Sequence, residues 1–166
     1  MNMTATESLA PLWPRIERVR VGMFTTIDEH GHLVSCPMTN QRTDHDGSLW
    51  FFTSDHSGMS RNIAVRSEVN ISFVDDGESL YVSVSGHAEH VADREKMREM
   101  WNPLVAAWFP EGVDDPHLAL VKVTIEAAEY WDAEVGKMQQ LLKMARAAIT
   151  GQPPKIGPSE HGRVGL

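Results

Sequence analysis

Short turns built from Asp and Gly divide the first half of this chain into pieces too brief for anything but strands. They are Asp28-Glu29-His30-Gly31, Asp44-His45-Asp46-Gly47 and Asp75-Asp76-Gly77, each a sequence that reverses the chain between two apolar runs. Between them the hydrophobic pattern has period two. Val19, Val21, Met23, Thr25 and Ile27 fall on one face, which predicts a half-buried strand, and His32 to Met38 is its return partner. Pro37 removes a ladder donor, so that second strand stops, bulges or runs along an edge.

The same punctuation predicts strands at Ser48 to Thr53, Val69 to Val74, Leu80 to Val91 and Leu118 to Tyr130. In the last, Val121, Val123 and Ile125 oppose Lys122 and Thr124. Gly86 inside the long strand marks a bulge or a close approach by another group. The expected fold class is therefore mainly β (α+β), a curved antiparallel sheet or barrel with peripheral helices.

Helical signals are fewer. Ser8 to Ile16 begins a short helix interrupted at Pro14. Ser57 caps a helix running to about Arg66, with Ile63 and Val65 as its buried residues. Asp93 caps another, in which Met97, Met100, Trp101 and Leu104 recur at offsets of three and four until Pro103 ends or bends it. Val135, Met138, Leu141, Leu142, Ala145 and Ile149 form the stripe of a last helix that Gly151 stops. One domain over residues 1–151 followed by a loosely ordered tail, 152–166, is the expected organisation.

Composition narrows the function. With 166 residues, 42% hydrophobic, the chain can close one core. A formal charge of −8 leaves no basic footprint for nucleic acid. No signal peptide or membrane span is expected, and a single cysteine suits a reducing cytoplasm. Phosphate-loop, dinucleotide and serine-hydrolase motifs are absent from the sequence. Eight histidines raise a metal, but His30 and His32 flank a turn glycine, and His87 and His90 point to opposite faces of a strand. No metal is expected. Cys36 reads as a small buried strand residue, and Trp101 and Trp108 as core or interface.

One stretch carries chemistry. Gly47-Ser48-Leu49-Trp50-Phe51-Phe52-Thr53-Ser54 is an aromatic strand ending in hydroxyls, and Ser57-Gly58-Met59-Ser60-Arg61-Asn62-Ile63 opens a helix directly after it. Anion-binding donors thus stand beside an apolar slot, which suits a planar cofactor bearing phosphate. Arg42, Arg61 and Arg66 are the cations available to it.

Taken in order, Ser35-Cys36-Pro37-Met38, Gln41, Leu49 to Thr53, Ser57 to Ile63, Val69 to Phe73, Tyr81 to Ala88, Trp101-Asn102-Pro103, Trp108-Phe109-Pro110 and Tyr130-Trp131 resemble the pyridoxamine 5'-phosphate oxidase-like FMN-binding split barrels. The likeness is greatest to their bacterial general stress protein branch. It implies an antiparallel split β-barrel, a homodimer with FMN at the subunit interface, and a flavin-dependent oxidoreductase-like stress protein. On that resemblance the flavin contacts are Cys36, Pro37, Met38, Gln41, Phe51, Phe52 and Thr53, and the phosphate contacts are Ser57, Ser60 and Arg61.

Two positions depart from the family pattern: Cys36 stands where relatives usually have Arg, and Met59 where they usually have Lys. FAD, a deazaflavin or no flavin are the alternatives that follow, as is a non-catalytic module with weakened FMN binding. The C-terminus lacks the Arg-rich, Pro-ended pattern of true pyridoxamine phosphate oxidases, so that activity is not expected. No residue is an evident general acid or base, which leaves any redox chemistry to the flavin.

Overall fold

The computed structural model describes residues 8–41, 45–132 and 160–165. In chain order these form α1 (Trp13–Val19), β1 (Val21–Ile27), β2 (Leu33–Thr39), β3 (Ser48–Ser54), α2 (Gly58–Val65), β4 (Glu68–Asp75), β5 (Leu80–Val91), α3 (Arg94–Met100), α4 (Pro103–Ala106), β6 (Leu118–Asp132) and β7 (Glu160–Gly165). The strands make one antiparallel sheet in the order β2-β1-β4-β5-β6-β3, with β7 also paired to β6. Long β6 holds β3 along its first half and β7 along its second.

The sheet curls until its two edges meet. The Gln41 N–H donates to the Trp50 carbonyl at 2.9 Å, and the Trp50 N–H donates to Asn40 Oδ1 at 3.1 Å. These bonds tie the end of β2 to β3. Inside the curl lie Phe24, Phe51, Ile71, Phe73 and Ile125, all fully buried, with Phe24 and Phe51 edge to face at 5.1 Å. Each such side chain contributes about 1.5 to 3 kcal/mol by leaving water. α1 covers one end through Leu12, Trp13 and Ile16, a core role that the N-terminal sequence does not advertise.

A second core lies on the opposite face of β3, where Trp50 and Phe52 pack with Met97, Met100, Val105 and Leu120. β3 is therefore buried on both faces, and that is why its sequence is nearly continuous in apolar residues. Asp93 Oδ1 accepts from the Lys96 N–H and starts α3. Pro103 sits in the first turn of α4, capped by Asn102 Oδ1, so it begins a helix rather than bending one.

Gly86 falls where the β5–β6 register shifts, and a Cβ there would meet the Thr124 carbonyl oxygen at 2.0 Å. Bulge and close approach are one feature. Pro37 lies within β2, which continues to Thr39 and is tolerated because β2 is an edge strand.

Several expectations change. The buried face of β1 is Gly22, Phe24 and Thr26, while Val21 and Met23 are exposed on the other. Val65 is 82% exposed and Leu104 62%, so neither joins a core; the inner face of α2 is Met59, Ser60 and Ile63. The tail is not loose throughout: residues 160–165 are β7, with Val164 buried and Gly162 against the Tyr130 ring, where a Cβ would lie 2.3 Å from Cζ. A strand of alternating faces on an open edge supplies what composition alone does not reveal. The expected helix from Val135 to Ile149 lies outside the described residues, as does Arg42.

Candidate functional site

Where the ends of β2 and β3 converge under α4, a cleft of about 440 Å³ opens. Pro37 and Met38 come from β2, Gln41 from the segment beyond it, and Phe52 and Thr53 from β3. The sheet closure that joins Gln41 to Trp50 is what brings them together. Gln41 is held further: its Nε2 donates to the Thr39 carbonyl and its Oε1 accepts from Asn102 Nδ2, each at 2.9 Å. The far wall is Leu104, Val105, Trp108 and Phe109.

Trp108 is 83% exposed, a large ring at the cleft rim rather than in the core. Trp101, by contrast, is half-buried and meets Phe52 edge to face at 5.9 Å. Asn102, which caps α4 and orients Gln41, is missed as a functional residue by sequence reasoning. Its signal is the Asn-Pro pair at a helix start.

The remaining expected contacts divide. Phe51 is fully buried against Phe24, so its side chain belongs to the barrel core and not to the cleft. Adjacent strand residues point to opposite faces, and Phe52 takes the cleft side. Cys36 is half-buried and packs against the same core as Phe51. Burial pushes its thiol pKa upward, which keeps it neutral and a poor nucleophile.

Ser57 stands at the N-terminus of α2, where its Oγ accepts from the Ser60 N–H at 3.0 Å and pairs with Thr53 Oγ at 3.0 Å. Ser60 and Arg61 line a neighbouring cavity of about 390 Å³ together with Asp55, His90 and Arg94. There Ser60 Oγ pairs with His90 Nε2 at 2.6 Å. The Arg61 guanidinium curls back to donate to the His56 carbonyl.

Charge is therefore sparse at the cleft. Its described lining includes no ionisable side chain. Met59 is 7% exposed, packed into the main core with Ile63, so the position where relatives usually carry Lys faces inward here. What the cleft offers is an apolar slot with the hydroxyls of Thr39, Thr53 and Ser54 and the Gln41 amide on its lining. That chemistry binds and orients a flat ligand; it does not transfer protons.

The matches to known proteins agree with this geometry. The family model described as pyridoxamine 5'-phosphate oxidase like matches residues 7–155. Protein bli-3 of Neurospora crassa is 30% identical over 147 residues, 82% of this chain and 70% of that protein. Among solved structures, one described as general stress protein 26 from Jannaschia sp. CCS1 is 33% identical with a TM-score of 0.74, covering 95% of this chain and 99% of its own. The general stress FMN/FAD binding protein of Xanthomonas citri is 32% identical with a TM-score of 0.64, covering 76% and 89% respectively. A curved antiparallel sheet closed through β2 and β3, with its cleft at that closure, belongs to a split barrel, and this chain is a member of the pyridoxamine 5'-phosphate oxidase-like family.

Proposed function

We propose that this chain binds a flavin nucleotide, FMN or FAD, in the cleft between β2 and β3 and serves as a flavin-dependent oxidoreductase-like stress protein. The observation that carries this reading is the convergence of Pro37, Met38, Gln41, Phe52 and Thr53 on one cleft from separate parts of the chain. Its similarity to the Xanthomonas citri protein described as FMN/FAD binding supports the same ligand. Phe52, Met38 and Trp108 would hold the ring and exclude water from it. Thr53, Ser57 and the first-turn amides of α2 would hold the phosphate. A bound flavin supplies hydride or electron transfer, which no side chain of the cleft provides.

We infer a homodimer from the same surface. By register Val21, Pro37 and Thr39 of the cleft share the outer face of the sheet with Met23 and Leu33, and strand alternation adds Val74. Leu33 is 75% and Val74 52% exposed, an apolar face that a second copy would cover. The cleft opens along that face.

A second reading is favoured by the missing cations: a flavin-binding module of weakened affinity without turnover. Charge-assisted hydrogen bonds contribute about 1.5 to 3 kcal/mol each, and neither Met59 nor Arg61 is placed to make one at the cleft.

Titration of the purified chain with FMN, FAD and a deazaflavin, followed by flavin fluorescence and visible absorbance, tests both readings. Binding with oxidation of NADH or NADPH supports the first. Binding without turnover, tightened by Cys36→Arg, supports the second. Uptake of none of the three overturns both.

A further inference from the structure

Beyond the flavin cleft, we propose that Asp55, His56 and His117 bind one divalent transition-metal ion, with Zn²⁺ as the ion these donors suit. The three residues come from two loops far apart in sequence, one leaving β3 and one entering β6, and the strand pairing brings them together. Ser54 pairs with Leu118 at the end of the β3–β6 ladder, and the Asp55 N–H extends it by donating to the His117 carbonyl at 2.9 Å.

Their ligand atoms all lie within 4.8 Å of one another. Asp55 Oδ1 is 3.2 Å from His117 Nδ1 and 3.6 Å from His56 Nδ1. An ion with tetrahedral bonds of about 2.0 to 2.1 Å separates its ligand atoms by roughly 3.3 to 3.4 Å. The two carboxylate–imidazole spacings bracket that edge, and the two imidazole nitrogens lie within 4.8 Å of each other. The two imidazoles face each other, with ring centroids 4.1 Å apart and planes tilted by 42°, so both rings crowd one carboxylate.

The backbone beneath the cluster is already held. The His56 N–H donates to Ser54 Oγ at 3.2 Å, and the His117 N–H donates to Asp115 Oδ1 at 2.8 Å. Binding would therefore order side-chain rotamers rather than loops, which keeps its entropic cost low. Two imidazole nitrogens and one carboxylate favour Zn²⁺, Ni²⁺ or Co²⁺ over Ca²⁺ and Mg²⁺, which prefer all-oxygen sets. All three side chains are exposed, which leaves the fourth position to water or an exogenous ligand. Asp55 also lines the cavity that holds Ser60, Arg61 and His90, so the ion would stand at its edge.

The test uses the full chain without an affinity tag, stripped with chelator and titrated calorimetrically with Zn²⁺. One equivalent should bind with micromolar affinity, weakened roughly tenfold or more in His117→Ala and in His56→Ala. The His30→Ala/His32→Ala double variant should bind as wild type. Co²⁺ should give the visible absorption of four-coordinate geometry, absent in His117→Ala. Zn²⁺ should raise the melting temperature of the wild type and not of His117→Ala, whose metal-free melting temperature is unchanged. The proposal is overturned if no zinc binds, if His117→Ala and wild type titrate alike, or if binding follows His30 and His32.

Discussion

Met59 lies in the core and not on the cleft lining, so it supplies the cleft with no charge. Its thioether lies in the main core beside Ile63, on the inner face of α2, and is 7% exposed. A lysine introduced there must bury an ammonium among apolar side chains or distort the helix to reach water. Met59→Lys should therefore lower stability by about 2 to 4 kcal/mol in urea unfolding, without restoring a phosphate contact. An unchanged midpoint would mean that the side chain reaches the surface. Cys36 is a gentler place to restore charge, being on an edge strand and only half-buried. At this scale the sequence marked the aromatic run of β3 but not its phase. Phe51 and Phe52 are neighbours of equal hydrophobicity, and only packing assigns one to the core and the other to the cleft.

Elements were legible where a local device fixes them. Ser57 and Asp93 cap their helices as the sequence predicts, because a cap needs only residues three apart. The β1–β2 hairpin is similar. The Asp28 carboxylate accepts from the N–H groups of His32 and His30 at 2.8 and 2.9 Å. The bond from His32 chiefly holds its carboxyl below the ordinary value of 3.8. A lowered folded-state pKa means that the contribution is complete above 3.8 and is lost as pH falls through the lower folded value. Protection factors of the His30 and His32 amides, measured by NMR with the intrinsic pH dependence of exchange divided out, should fall toward the acid end between roughly pH 5 and pH 2. Asp28→Asn should flatten that dependence. The face of β1 was not legible in the same way. Val21 and Met23 are as apolar as the residues beneath them, so period two reveals a strand but not which side meets the core.

The whole molecule is a sheet whose edges meet through Asn40, Gln41 and Trp50, and its outer face is where β1, β2 and β4 leave Met23, Leu33 and Val74 uncovered. If a second copy covers that face, Leu33→Asp combined with Val74→Asp should halve the sedimenting mass. Flavin affinity should fall with it, because the cleft opens along the same face. A wild-type chain that sediments as a monomer at micromolar concentration would remove the inferred dimer. No described helix is long and apolar enough to cross a membrane.

The sequence by itself determined the strands β1 to β6, the turns, the helix caps and, through an ordered set of motifs, the family. All of these rest on signals that are local or that survive as linear order: residue conformational preference, hydrophobic period and spacing. Only the tertiary structure decided which face of β1 is buried, that 160–165 completes the sheet, that Met59 turns inward, and that Asp55 and His56 meet His117. Those outcomes depend on strand register and on the curvature that closes the sheet, and both are set by the sum of distant contacts rather than by any short stretch of chain.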